Sequence, residues 1–190
     1  MVRKTSVVAL VWIVLCSLGA WAQDAKKDEP KTVAQVLNAE TSRLEGEFVS
    51  AADAMPEDKY SFAPTNGEFK GVRTFGQQVK HVAAVNYIVG GTILGEKPPA
   101  DTGGENGPDS IKTKADIIKY LKDSYAYAHK AIDSTNEQNL TASIKAPFGE
   151  GSTTRLAMAS LFSWHPMDHY GQMVEYLRMN GIVPPASRKQ

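Results

Sequence analysis

His165 and His169 stand four residues apart in the run Ser163-Trp164-His165-Pro166-Met167-Asp168-His169-Tyr170. On a helix this spacing stacks two imidazoles on one face, one turn apart. Met158, Phe162, Met173 and Tyr176 share that face, so both rings lie in the stripe that should point into a core. Inward nitrogens need a partner, and a divalent metal is the first candidate. The competing reading is a pair of core histidines bonded to a carbonyl or carboxylate, because HxxxH lacks the glutamate that makes HExxH specific. A third ligand has to come from elsewhere in the chain. His81 lies at the edge of an apolar stripe made by Phe75, Val79, Val82, Val85 and Val89, and is the better choice. His129 sits beside Lys130 near an expected helix end and reads as a solvated or dipole-facing residue.

The elements that would position these residues are helical. The first stretch runs from about Thr32 to Met55, with Val33, Val36, Leu37, Leu44 and Phe48 at helical spacing, and Pro56 ends it. The second covers about Thr74 to Leu94. A loop rich in Pro and Gly, Lys97 to Asp109, leads to a third helix beginning near Ser110. There Thr113-Lys-Ala-Asp116 has the form of a capping box, with Ile117, Leu121, Tyr125, Ala128 and Ile132 following on one side. The connection Asn136 to Gly151 contains Thr141 to Lys145, which suits a short extended segment. The fourth helix runs from about Thr153 to Met179, and Asn180-Gly181 before Pro184-Pro185 stops it. Pro166 inside it should bend the helix at the histidines. No alternating strand pattern of useful length is present, so the expected fold is all-α, a four-helix bundle whose loops are long enough to cross an end. Cofactor sites in such bundles are built on facing helices, which is how His81 could meet His165 and His169.

The N-terminus predicts the compartment. Arg3 and Lys4 precede an apolar run from Val7 to Leu18, and Ala20-Trp21-Ala22 supplies the small residues a signal peptidase reads. Residues 1–22 are read as a signal peptide cleaved before Gln23, 23–30 as a charged lead-in and 31–190 as the bundle. The apolar run is too short for a comfortable membrane span, so no stable membrane anchor is expected. The single cysteine, Cys16, would leave with the signal, and the mature chain would then form no disulfide, thiolate metal site or cysteine nucleophile. Loss of Arg3 and Lys4 from the 21 basic residues leaves 19 against 21 acidic ones. Such a balance gives no electrostatic footprint for nucleic acid and no basic cluster for a membrane surface.

Two blocks carry a resemblance. Tyr60-Ser61-Phe62-Ala63-Pro64 with Arg73-Thr74-Phe75-Gly76-Gln77-Gln78-Val79-Lys80-His81-Val82-Ala83 resembles the first half of the DinB-like (DinB/YfiT) proteins. His165-x-x-x-His169-Tyr170-Gly171-Gln172-Met173-Val174-Glu175-Tyr176-Leu177 and the following residues to Pro185 resemble the end of the same family. The resemblance implies a four-helix bundle with a divalent metal on His81, His165 and His169. Three neutral imidazoles and open positions suit Zn, Ni or Fe(II) alike. Some members activate a low-molecular-weight thiol for transfer or isomerisation, and many have no known reaction.

Such an ion lowers the pKa of a bound water or acts as a Lewis acid on a carbonyl, so the expected activity is a metal-dependent hydrolase or transferase on a small molecule. Asp168, three residues after His165, is a candidate acceptor for the free N–H of a ligand imidazole, or else a solvated surface carboxylate. Gln172, three after His169, is a candidate to orient a bound water, or else an amide bonded to a neighbouring helix. Asn86 bridges helices or touches ligand; Tyr176 reads as core, Glu175 and Arg178 as solvated face. The alternatives are a non-catalytic metal- or ligand-binding module, favoured if Trp164 or Met167 blocks the open positions, and a structural or stress-associated bundle without metal. Pairing through an exposed helix face, as a homodimer, is the expected form of self-association.

Overall fold

Thr32 and Thr74 open two helices by one device. Each threonine hydroxyl accepts from the backbone N–H three residues on, and the glutamine there, Gln35 or Gln77, returns a bond to the threonine N–H. These capping boxes start α1 (Val33–Ala54) and α2 (Phe75–Leu94). Thr113 and Thr154 cap α3 (Lys114–Asp133) and α4 (Arg155–Met179). The computed structural model describes residues 31–188, so the expected signal peptide and lead-in, residues 1–30, lie outside the described residues.

α2 packs against α3 and α4, and α1 packs against the same two helices. α1 therefore lies diagonally across from α2, and α3 from α4. That arrangement explains two of the long connections: the chain must cross the bundle end between α1 and α2, and again between α3 and α4. The connection from Gly95 to Thr113 joins neighbours instead, where a few residues would suffice. Its extra length folds over the second helix, as described below.

One apolar cluster gathers Phe48, Met55, Phe75, Val79, Leu121, Tyr125, Met173 and Leu177; a second gathers Val85, Val89, Ile93, Ile132, Ala159 and Phe162. Removing each large side chain from water contributes about 1.5–3 kcal/mol. α2 enters the first cluster and exits through the second, whereas α4 does the reverse, so the two run antiparallel. On α4 the stretch between the clusters carries His165 and His169.

Three local details depart from the sequence expectation. α3 starts at Lys114 rather than near Ser110, because Thr113 is its cap. Its box is only half formed: Thr113 Oγ1 accepts from Asp116 N at 3.1 Å, but the Asp116 carboxylate turns back to the Thr113 hydroxyl at 2.7 Å. Aspartate is one methylene shorter than the Glu or Gln that reaches the cap backbone. The extended piece is realised as β1 (Ser143–Lys145), paired antiparallel with β2 (Ser152–Thr154), Ile144 opposite Thr153. The second strand delays α4 to Arg155. α4 then runs continuously through the buried Pro166, which leaves the carbonyl of Phe162 without its helical donor. No helix among the described residues is long and apolar enough to cross a membrane.

Candidate metal centre

α2 contributes His81, 5% exposed, and α4 contributes His165 and His169, the latter 7% exposed. Their Nε2 atoms converge: His81 to His165 is 3.1 Å and His165 to His169 is 3.2 Å. The rings meet edge to face, with centroids 4.7–5.1 Å apart. Among the described residues these three form the one group of histidine, cysteine and carboxylate side chains able to hold a metal ion.

The fourth participant is a backbone atom. The carbonyl of Glu105, from the connection between α2 and α3, lies 2.5 Å from His81 Nδ1. A carbonyl only accepts, so Nδ1 carries the hydrogen and Nε2 presents its lone pair to the other two rings. Two tight glycine positions shape this loop. Gly107 has φ +73, its N–H donates to Thr102 O at 2.8 Å, and a Cβ there would stand 2.9 Å from Lys80 Cβ. Gly103 has φ +53, and a Cβ on it would run into the Gly107 carbonyl.

The electrostatics keep the imidazoles neutral. Burial is the leading cause at all three rings. It pushes the His165 pKa down to about 3, helped by His169 and His81, and the His169 pKa down to about 4, helped by His81 and Arg73. The His81 pKa is lowered as well, against the opposing pull of the Glu105 carbonyl. Three neutral rings cannot satisfy one another. His81 Nε2 has no hydrogen to give, and a hydrogen on His165 Nε2 can be shared with only one of its two neighbours. His165 Nδ1 and His169 Nδ1 are buried without protein partners as well. The donor set fits a borderline cation: ligands about 2.0–2.1 Å from zinc in tetrahedral array stand about 3.3–3.4 Å apart, a few tenths beyond the distances seen. The Glu105 carbonyl is the kind of outer partner that orients a metal-binding imidazole.

The remaining candidates fall as follows. Asp168 is exposed and does not meet an imidazole; its carboxylate accepts from Gln172 Nε2 at 3.2 Å. Its charge still reaches the site, opposing the fall of the His165 pKa. Gln172 is itself exposed, and its Oε1 accepts from Gln78 Nε2 of α2 at 2.7 Å, so it is the amide linked to a neighbouring helix. Asn86 bridges helices through Ser124 of α3 at 3.2 Å. Tyr176 is buried and donates to Arg73 O at 3.1 Å, while Arg178 reaches Ser187 and Glu175 is exposed. His129 is outside the group and is less solvated than its sequence position suggests. Its ring nitrogens face Asn38 Oδ1 at 2.6 Å and Glu45 Oε2 at 3.1 Å, tying α3 to α1.

A cavity of about 660 Å³ opens beside the histidines, lined by His169 with Arg73, Gln78, Lys80, Asp109 and Gln172. Trp164 and Met167 are 59% and 51% exposed and do not line it. Gln78 went unread in the sequence, although it precedes His81 by three residues on one helical face. The Glu105 carbonyl left no signal, because any residue type supplies that atom.

No curated protein matches the chain. Among solved structures it is similar to a DinB-like protein from Bacillus cereus, with a TM-score of 0.64 and 16% identity over 81% of this chain and 96% of that one. It is similar also to a DinB-like protein from Bacillus subtilis (TM-score 0.60, 17% identity, 82% and 99% covered). An uncharacterised protein from Escherichia coli gives 0.59 at 16% identity, with 80% and 96% covered. At these identities the likeness is one of fold. The profile of the DinB superfamily matches residues 40–173, which spans all three histidines and most of the chain, and the protein therefore belongs to the DinB superfamily.

Proposed function

We propose that this protein is an exported metal-binding member of its superfamily in which His81, His165 and His169 hold one divalent transition metal, Zn, Ni or Fe(II), and that the cavity beside them receives a small molecule for hydrolysis or group transfer. The observation that carries the reading is the convergence of three neutral Nε2 atoms within 3.1–3.2 Å of their neighbours, one of them fixed as a lone pair by the Glu105 carbonyl. When bound, the ion supplies Lewis acidity at its open positions. The chain's own residues do the rest. Glu105 O holds the His81 ring, burial keeps the imidazoles unprotonated, and exposed Trp164 and Met167 leave the approach free. Export rests on the sequence of residues 1–22.

A second reading, a binding module without turnover, is supported by the cavity lining. It holds one carboxylate, Asp109, and no hydroxyl or thiol side chain. Metal analysis of the mature protein, purified without chelator or histidine tag, tests the site. About one equivalent of a transition metal is expected, and it should be lost in each of His81→Ala, His165→Ala and His169→Ala. A protein that takes up no Zn, Ni or Fe(II) on reloading refutes the metal reading. Turnover screens on the loaded protein then separate enzyme from binding module.

A further inference from the structure

Arg73 and Lys80 bring two cations to the cavity beside the histidines, against the single exposed carboxylate of Asp109. Neither cation forms an ion pair among the described residues. Arg73 is half-buried at the foot of α2 and held from two sides: its carbonyl accepts from Tyr176, and its Nη2 donates to Asn106 Oδ1 at 3.2 Å. One of the five guanidinium N–H groups is thereby used. Arg73 and His169 line the same cavity, which places the cation beside the imidazoles. Lys80 donates to Pro108 O at 3.1 Å and keeps two hydrogens. A fixed, half-buried guanidinium without a counter-ion matches a planar carboxylate.

The second observation is an orphaned acceptor. Asp168 can only accept, so Gln172 must turn its Nε2 toward it and its Oε1 toward Gln78, and Gln78 must in turn donate through Nε2. This chain of assignments leaves Gln78 Oε1 without a partner on a residue that is 2% exposed and lines the cavity. A buried acceptor of this kind calls for a donor from a ligand.

We infer that the cavity is a recognition site for a small carboxylate that also carries a hydrogen-bond donor, as in a hydroxy acid, with Arg73 as the carboxylate anchor and Gln78 Oε1 as the acceptor of the donor. It deepens the metal-site reading and rests on it for the ion at the cavity wall, but the anchor belongs to the protein alone. Lys80 adds charge at the rim, and Asp109 opposes it.

The test is calorimetric titration of the mature protein with three probes, L-lactate, its neutral analogue lactamide and the hydroxyl-free propionate, with metal content measured on each sample. Lactate should bind at least about tenfold more tightly than lactamide, as expected for one charge-assisted pair. Arg73→Gln should remove that preference without weakening lactamide, while Asp109→Asn should tighten lactate. Propionate should bind several-fold more weakly than lactate, and Gln78→Met should erase that difference. Equal binding of lactate and lactamide, no detectable lactate binding, or lactate affinity unchanged in Arg73→Gln overturns the inference. If the samples hold no metal, the metal reading fails by itself, and the Arg73-dependent preference measured on the metal-free protein still decides this one.

Discussion

Replacing Gly107 with alanine tests whether the loop over α2 governs the metal centre. The native φ of +73 is open to glycine but costs an L-residue about 1 kcal/mol. The new Cβ would also stand 2.9 Å from Lys80 Cβ and 3.2 Å from Lys80 O, positions fixed by α2 itself. The loop must therefore lift, and the carbonyl of Glu105, two residues away, leaves His81 Nδ1. Loss of such an outer partner weakens metal binding about 10–100-fold. Gly104→Ala is the matched control, because its φ of +67 imposes the same backbone cost while nothing lies within 4 Å of the added carbon. Zinc affinity measured by chelator competition should fall at least about tenfold in Gly107→Ala and change less than about threefold in Gly104→Ala. Wild-type affinity in Gly107→Ala, with the fold intact by circular dichroism, would refute the claim that the Glu105 carbonyl sets the His81 ring.

Other expectations follow from the same contacts. The unfolded chain protonates its histidines near pH 6.5, whereas folded His165 and His169 stay neutral to about 3 and 4. The unfolded state thus binds more protons between these limits, and metal-free protein should lose stability as pH falls from about 6.5 toward 4. Melting curves of His165→Ala/His169→Ala should be flatter across that window, and a parallel pH dependence contradicts the assignment. Asp168→Ala should leave metal content unchanged, since the carboxylate meets Gln172 rather than an imidazole; a loss of metal would show that it supports a ligand. Tyr125 is fully buried with no partner for its hydroxyl, so Tyr125→Phe should be neutral or stabilise by up to about 1 kcal/mol in denaturant unfolding; a clear loss would reveal a partner. N-terminal sequencing of protein recovered from outside the cytoplasm should begin at Gln23, and an intact Met1 there would end the export reading.

The helices were legible because their signals are local. Thr32 and Thr74 mark starts that the capping bonds realise, and Pro56 and Asn180-Gly181 mark ends. The HxxxH spacing placed two imidazoles on one inward face because 3.6 residues make a turn. Local signals do not record which helices are neighbours. The diagonal placement of α1 and α2, and with it the length of two connections, comes from burial of the whole apolar surface. Asp168 shows a different limit: its distance in sequence from His165 left a ring partner and solvent equally open, and on the helix it turns toward solvent and Gln172. His129 gained its partners from α1, far away in sequence. The Glu105 carbonyl was beyond reach, because the loop that delivers it is set by glycine conformations rather than by the chemistry of residue 105.

His81 and His165 are 84 residues apart in the chain, and among the described residues no cysteine could staple the halves together. An ion shared between them would act as the missing cross-link. Closing a loop of that length removes about 4–5 kcal/mol of freedom from the unfolded chain in the chain-entropy picture, a large fraction of a typical domain's net stability. Metal supply would then set the lifetime of the folded protein as well as its chemistry. Starved of the ion, α2 and α4 would still be joined by the apolar clusters on either side of the rings, and only the stretch between them would lose its tie.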